Sequence, residues 1–154
     1  MKIETARFGA IQVHEDQKIR FVQPIIGFPT LMEYVLVDTG GLVKWLQSLE
    51  DASVVFPVVD PFAVKQDYDI EIPMSDAYSL ELKRAEEAQV WCITVLSSNP
   101  AEMRANLRAP VVLNRKTGTA KQVVLADSSL PIRYHFEPAA IHGNKEVAHA
   151  GSYA

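Results

Sequence analysis

The chain has 154 residues, a formal net charge of −4, 48% hydrophobic and 22% charged residues. A chain of this length buries roughly 68–70% of the surface its unfolded form exposes, so one domain needs no disulfide staple. The negative charge argues against a general nucleic-acid binder, whose affinity comes largely from Lys and Arg neutralising phosphates, and makes a basic partner the natural one.

No run of about 18 or more uncharged apolar residues is present to span a bilayer. The start, Met1-Lys2-Ile3-Glu4-Thr5, puts an acid where a signal peptide needs a basic region followed by an apolar stretch. A cytoplasmic protein without a membrane contact is expected. A single cysteine, Cys92, cannot form an internal disulfide, which fits a reducing compartment.

Short runs rich in Val, Ile, Leu and aromatic residues, broken by Gly, Pro, Asp and Asn, mark an all-β sandwich or barrel with minor helices. Residues 1–6 and 10–14 read as a hairpin around Arg7-Phe8-Gly9, and residues 19–22 begin a strand that stops at Pro24. Strands follow over 34–38, 44–49 and 54–59, separated by Thr39-Gly40-Gly41 and Glu50-Asp51-Ala52-Ser53. Residues 68–72 alternate strictly: Asp67, Asp69 and Glu71 point one way, Tyr68, Ile70 and Ile72 the other. This reads as a strand with one face on the core and the other towards water or a partner.

Ser75 is a plausible N-cap for a short helix over 76–80, and residues 85–88 supply another turn before a strand over 90–96. Asn99-Pro100-Ala101-Glu102 has proline where a helix begins. Residues 111–114 and 120–125 form the last hairpin, between Pro110 and Thr117-Gly118. From Glu137 onward periodicity and large apolar residues disappear, so residues 1–136 read as one domain and 137–154 as a flexible tail.

Little in the chain points to catalysis. His14, His135, His142 and His149 have no ligand-like spacing, and HExxH, CxxC, GxSxG, Walker and GxGxxG patterns are missing, so no metal or cofactor is expected. Cys92 lies in an apolar run and reads as core. Alternate strand residues share a face at roughly 6.6–6.8 Å, so Asp67, Asp69 and Glu71 form an acidic row suited to docking a basic protein, or simply a solvated face that discourages edge pairing. Trp45, Phe56 and Trp91 sit in strands and read as core. The loop residues Phe28 and Phe62 each stand beside a proline and read as lids over the core or as exposed contacts.

Three stretches resemble the flagellar assembly factor FliW family: Ile26-Gly27-Phe28-Pro29 with Tyr34-Val35-Leu36; Leu46-Gln47-Ser48-Leu49-Glu50-Asp51 through Phe56-Pro57-Val58-Val59-Asp60-Pro61-Phe62; and Asn106-Leu107-Arg108-Ala109-Pro110-Val111-Val112-Leu113-Asn114 leading to Lys121-Gln122-Val123-Val124-Leu125. The resemblance covers about residues 1–135. It implies a small, mainly antiparallel, closed or partly open β-barrel-like domain with a few short helical turns. It also implies a non-enzymatic adaptor that binds CsrA, a basic RNA-binding dimer, and allosterically relieves its repression of flagellin mRNA. Flagellin is the second partner, in a partner-switching circuit.

On this expectation Asp67, Asp69 and Glu71 are the CsrA-docking candidates, and Phe28 or Phe62 borders a groove for a flagellin helix. The motif residues Asp60, Pro61, Asn106, Pro110, Asn114 and Gln122 are expected to serve the fold rather than a partner. A ligand-binding β-barrel or a hydrolase using acidic residues is the alternative, which a sizeable closed pocket would favour. Direct RNA binding through Arg104, Arg108, Arg115, Lys116 and Lys121 ranks last, because no aromatics are interleaved.

Overall fold

A computed structural model describes residues 1–136. The expected tail, 137–154, with His142 and His149, lies outside the described residues. The strands are β1 (Lys2–Thr5), β2 (Gly9–Gln12), β3 (Lys18–Phe21), β4 (Glu33–Asp38), β5 (Lys44–Ser48), β6 (Val55–Val59), β7 (Ala88–Val95), β8 (Arg104–Ala105), β9 (Val111–Asn114), β10 (Thr119–Gln122) and β11 (Tyr134–His135). Two short helices, α1 (Pro61–Val64) and α2 (Met74–Ser79), lie between β6 and β7.

The strands β7-β6-β5-β4-β3-β10-β9 form a continuous sheet, and β9 pairs back onto β7 through Ala88↔Asn114 and Trp91↔Val111, so a seven-stranded barrel closes. Of the pairings only β10 with β3 is parallel among the described residues. There Gly118 has φ +73, and a Cβ on it would meet the Lys18 carbonyl oxygen at 3.1 Å. A glycine suits both the backbone and the approach. The β1–β2 hairpin is a separate two-stranded sheet. It lies against the outside of β5, where Phe8 meets Trp45 edge-on at 6.1 Å and the Arg7 guanidinium sits 3.9 Å from the Trp45 ring centre. Trp45 is therefore covered by the hairpin rather than packed in the barrel interior.

The interior is filled by alternate residues of the seven strands: Ile19 and Phe21, Tyr34, Leu46, Val58, Trp91, Val111 and Leu113, and Ala120, all buried. A barrel this small has room for side chains and little else. Phe28 packs edge-on against Phe56, centroids 4.9 Å apart, and covers the end where β3 runs out. Near the β4–β5 turn lies a buried cation. Lys44 is 2% exposed and donates to Asp38 Oδ1 and to the Gly41 carbonyl, both at 2.9 Å.

The second core lies outside the barrel. Val59, Cys92 and Val112 face outward from β6, β7 and β9, and are covered by Val64, Tyr68 and Leu80 from the long β6–β7 connection and by Leu107, Leu125, Leu130 and Phe136.

Several boundaries differ from the sequence reading. Residues 68–72 form no strand: they keep the alternating burial but lie across the outer face of the sheet without joining it. The helix expected at 76–80 begins at Met74, because the Pro73 carbonyl, not the Ser75 side chain, receives the first amides, those of Asp76 and Ala77. Helix α1 was not foreseen; Asp60 caps it by accepting from the Phe62 amide at 2.9 Å, and Pro61 occupies its first turn.

Lys44 is buried but Asp38 is solvent-exposed, and Lys44 keeps the Gly41 carbonyl when Asp38 is removed, so the cost lies below the ~3–5 kcal/mol of breaking a fully buried pair. Asp38→Ala is therefore expected to lower the urea midpoint measurably without unfolding the chain. Asp51→Ala, at an exposed turn, is expected to shift the urea midpoint far less than Asp38→Ala.

Candidate docking site

The connection between β6 and β7 carries most of the residues singled out in the sequence. Tyr68 anchors it: the ring is buried and its hydroxyl donates to the Leu107 carbonyl at 2.8 Å. Burial pushes the Tyr68 hydroxyl pKa well above the ordinary tyrosine value. Beneath it Cys92 is fully buried, and burial pushes its thiol up to about 12. With Tyr68 held inward, the alternation of an extended chain turns Asp67, Asp69 and Glu71 outward, and all three are exposed.

The three acids are not equivalent. Asp67 is ion-paired with Lys65, whose hydrogen bond and charge hold its carboxyl below the usual carboxylate range. Asp69 and Glu71 instead line a groove of about 710 Å³ together with Ile70, Ile72, Pro73 and Met74 on one wall and Leu125, Ala126, Asp127 and Leu130 on the other. Its exposed lining is more polar than apolar, and every charged lining residue is acidic.

Both walls are fixed by hydrogen bonds. Arg108 donates through Nε to the Leu130 carbonyl at 2.8 Å and through Nη2 to the Ser128 carbonyl at 2.6 Å, and Asp127 accepts from the Ser129 amide and hydroxyl at 2.9 and 2.6 Å. Those bonds to Ser129 hold the Asp127 carboxyl below the usual range, which keeps it ionised. Opposite, Lys121 of β10 pairs with Asp76 of α2 at 2.5 Å.

A second groove, about 360 Å³, lies on the other side of the Ile70–Ile72 ridge and is lined by Asp60, Phe62, Ala85, Ala88, Gln89, Val90 and Arg115. Phe62 is 47% exposed and rests edge-on against Tyr68 at 5.3 Å. The structure does not bring Phe28 and Phe62 together: Phe28 packs with the barrel interior, Phe62 with the outer layer.

The polar motif residues bridge chain segments. Asn106 Oδ1 accepts from the Arg108 and Ala109 amides, both at 3.1 Å, and the Pro110 carbonyl accepts from Val123 at 2.8 Å. Buried Asn114 donates to the Leu80 carbonyl at 2.7 Å and accepts from the Lys116 amide at 2.8 Å, tying the end of α2 to the last hairpin turn. Gln122 accepts from the Ile26 amide and donates to the Ala109 carbonyl, each at 3.2 Å.

Among the described residues no group of His, Cys, Asp and Glu is arranged to hold a metal ion, and no helix is long and apolar enough to cross a membrane. The five basic residues weighed for RNA binding are engaged within the chain: Arg108 and Lys121 as above, Lys116 with Glu87 at 3.3 Å, Arg115 with the Glu86 carbonyl at 2.9 Å, and Arg104 with the Glu102 carbonyl at 3.4 Å.

Sequence reasoning missed Met74, Tyr78, Leu125, Asp127 and Leu130. Met74 and Tyr78 are each 87% exposed and stand four residues apart on α2, hence on one side of it. An i, i+4 apolar pair in a helix whose start was misplaced was the available signal.

The family profile described as FliW protein matches residues 2–136. This chain belongs to the FliW family. The flagellar assembly factor FliW of Syntrophus aciditrophicus is 40% identical over 136 residues, covering 87% of this chain and 86% of that protein. That of Thermosipho africanus is 37% identical over 137 residues, covering 87% and 94%. A crystal structure of the flagellar assembly factor FliW superimposes with a TM-score of 0.82 at 26% identity, covering 90% of this chain and 99% of that one. The resemblance of the three motif stretches thus extends to the whole FliW barrel, including the outer layer that carries the grooves.

The buried thiol provides a pH test of that outer layer. In the unfolded chain Cys92 ionises near its ordinary value of 9.0; in the folded chain it stays protonated to about 12. Above the unfolded value the unfolded state binds fewer protons than the native one, so stability is expected to fall as pH rises from about 9 towards 12. Cys92→Ser should reduce that slope in urea titrations at several pH values. Ellman's reagent should leave Cys92 unlabelled at pH 8 until denaturant is added.

Proposed function

We propose that this chain is a non-enzymatic cytoplasmic adaptor that binds CsrA, relieves its repression of flagellin mRNA allosterically, and binds flagellin in a partner-switching circuit. The observation that carries the reading is the exposed acidic row on the outer layer of a FliW barrel, with Asp69 and Glu71 free of the ion pair that engages Asp67. A basic RNA-binding dimer meets complementary potential there, which speeds encounter and selects partners more than it raises intrinsic affinity. Because the adaptor lowers RNA affinity from a separate surface, RNA must weaken adaptor binding by the same factor. Flagellin is assigned to the groove bordered by Phe62, whose exposed ring and apolar neighbours Ile70, Ile72 and Val90 suit an amphipathic helix.

Calorimetric titration tests the reading. CsrA is expected to bind the wild type, and the Asp67→Lys/Asp69→Lys/Glu71→Lys variant is expected to bind at least about tenfold more weakly, with a smaller dependence on salt. Equal binding by both forms would move CsrA to another surface; no binding of either CsrA or flagellin to the wild type would end the adaptor reading. Phe62→Ala is expected to weaken flagellin binding while leaving the melting temperature nearly unchanged. Phe28→Ala, which uncovers Phe56, is expected to lower stability by about 3 kcal/mol instead.

A further inference from the structure

Among the described strands β1 and β2 pair only with each other and join no ladder of the barrel. Among the described residues one backbone hydrogen bond ties their hairpin to the barrel, from the Ala6 amide to the Ala52 carbonyl at 3.0 Å. Thr5 and Val13 are buried and the paired Ile3 and Ile11 half-buried, while Glu4 and Gln12 face water, so one side of the hairpin is turned to the barrel. Beneath it lie Val35 and Gln47, cross-strand partners on β4 and β5. Both are buried, although alternation points them away from the interior that Tyr34 and Leu46 fill. Gln47 Nε2 donates to the Ser48, Ala52 and Val54 carbonyls at 3.0, 3.3 and 3.2 Å, so it shares the Ala52 carbonyl with the hairpin's Ala6. Its Oε1 is buried and accepts from no group among the described residues. That oxygen has lost hydration without gaining a donor, a cost imposed by the closed hairpin.

A two-stranded hairpin is at best marginally stable by itself, so β1–β2 keeps its shape through docking. Its turn is held by side chains: the exposed Arg7 stacks on the half-buried Trp45, 3.9 Å from the ring centre, and Phe8 meets the same ring edge-on. A guanidinium stacked on an indole at the surface is a weak and reversible contact. The other end is fixed, because Val13 leads into the short turn Glu15–Gln17, where Gln17 Oε1 accepts from the His14 amide at 2.8 Å just before β3. We propose that the β1–β2 hairpin is a strap latched by Arg7 on Trp45, which swings off as one unit and uncovers the outward face of β5 while the barrel stays closed. No barrel ladder is lost in the opening, since β5 remains paired with β4 and β6 along its two edges. Water then reaches Gln47 Oε1, which offsets part of the cost of exposing Val13, Val35 and Trp45. The uncovered face belongs to β4 and β5, apart from both grooves beside the β6–β7 connection.

Amide hydrogen exchange of the full chain, followed by NMR at several urea concentrations below the unfolding transition, tests the strap. The hydrogen-bonded amides of β1 and β2 are expected to share one opening equilibrium, at least about tenfold more open than that of β5, with a weaker urea dependence because less surface is exposed. Arg7→Ala is expected to speed hairpin exchange a further ~3- to 10-fold and to leave the β5 amides unchanged. Hairpin amides that exchange with the rate and urea dependence of β5 would show that the hairpin leaves only with the barrel, and would overturn the proposal. A gradient of exchange along the hairpin would replace a hinged unit by fraying and overturn it as well. Hairpin exchange that is fast but unaffected by Arg7→Ala would remove the latch, and with it the strap as proposed.

Discussion

Closure of the barrel depends on one hairpin. β9 and β10 stand between strands that enter the sheet from opposite ends, β9 completing the ladder to β7 and β10 the parallel ladder to β3. The turn joining them contains Gly118, at the closest approach to β3, and follows Asn114, whose side chain reaches the end of α2. Seven staves leave an interior wide enough for one layer of side chains, and Phe21, Tyr34 and Trp91 fill it. A molecule with a filled interior must bind its partners on the outside.

That constraint explains where the grooves are. The outward faces of β6, β7 and β9 are as apolar as the inward ones, so an uncovered barrel would expose Val59, Cys92 and Val112. Each fully buried side chain of this size is worth about 1.5–3 kcal/mol, enough to draw the β6–β7 connection down onto the sheet. The connection lies flat because Tyr68 finds a carbonyl partner at Leu107, and its acids face outward because its apolar residues face in. The two grooves are the gaps left on either side of the Ile70–Ile72 ridge, where the covering segment does not meet the neighbouring loops. Ile70 and Ile72, which line both grooves, belong to the same layer that stabilises the fold.

The alternation of apolar and polar residues made the barrel strands legible, and Asn99-Pro100 and Gly118 marked a real helix start and a real chain reversal. The same alternation misled at 68–72. A segment lying on a sheet and a segment paired within one bury every second residue alike, and only backbone hydrogen bonding separates them. Ser75 misled for a related reason: a carbonyl supplied by Pro73 caps α2 without any side chain that the sequence could advertise. Of the groove, Asp69 and Glu71 were legible as an exposed row. Leu125, Asp127 and Leu130 were not, since they reach the site through Arg108, whose bonds to the Ser128 and Leu130 carbonyls depend on the folded barrel.

The division of charge follows from the same packing. Lys65, Lys116 and Lys121 are held in ion pairs with Asp67, Glu87 and Asp76, while Arg108, whose hydrogen bonds go to neutral carbonyls, keeps its charge and offsets part of that of Asp127. At physiological ionic strength charges separated by more than about 8 Å are largely screened, so the field that a partner meets is set by these nearby groups rather than by the net charge of the chain. Carboxylates at a rim act mainly on encounter, and salt weakens them. Exposed apolar side chains act mainly on the lifetime of a complex, through area removed from water. A site with both features separates how fast a partner arrives from how long it stays, and the two depend on different residues: Asp69, Glu71 and Asp127 for the first, the exposed parts of Ile70, Ile72 and Met74 for the second.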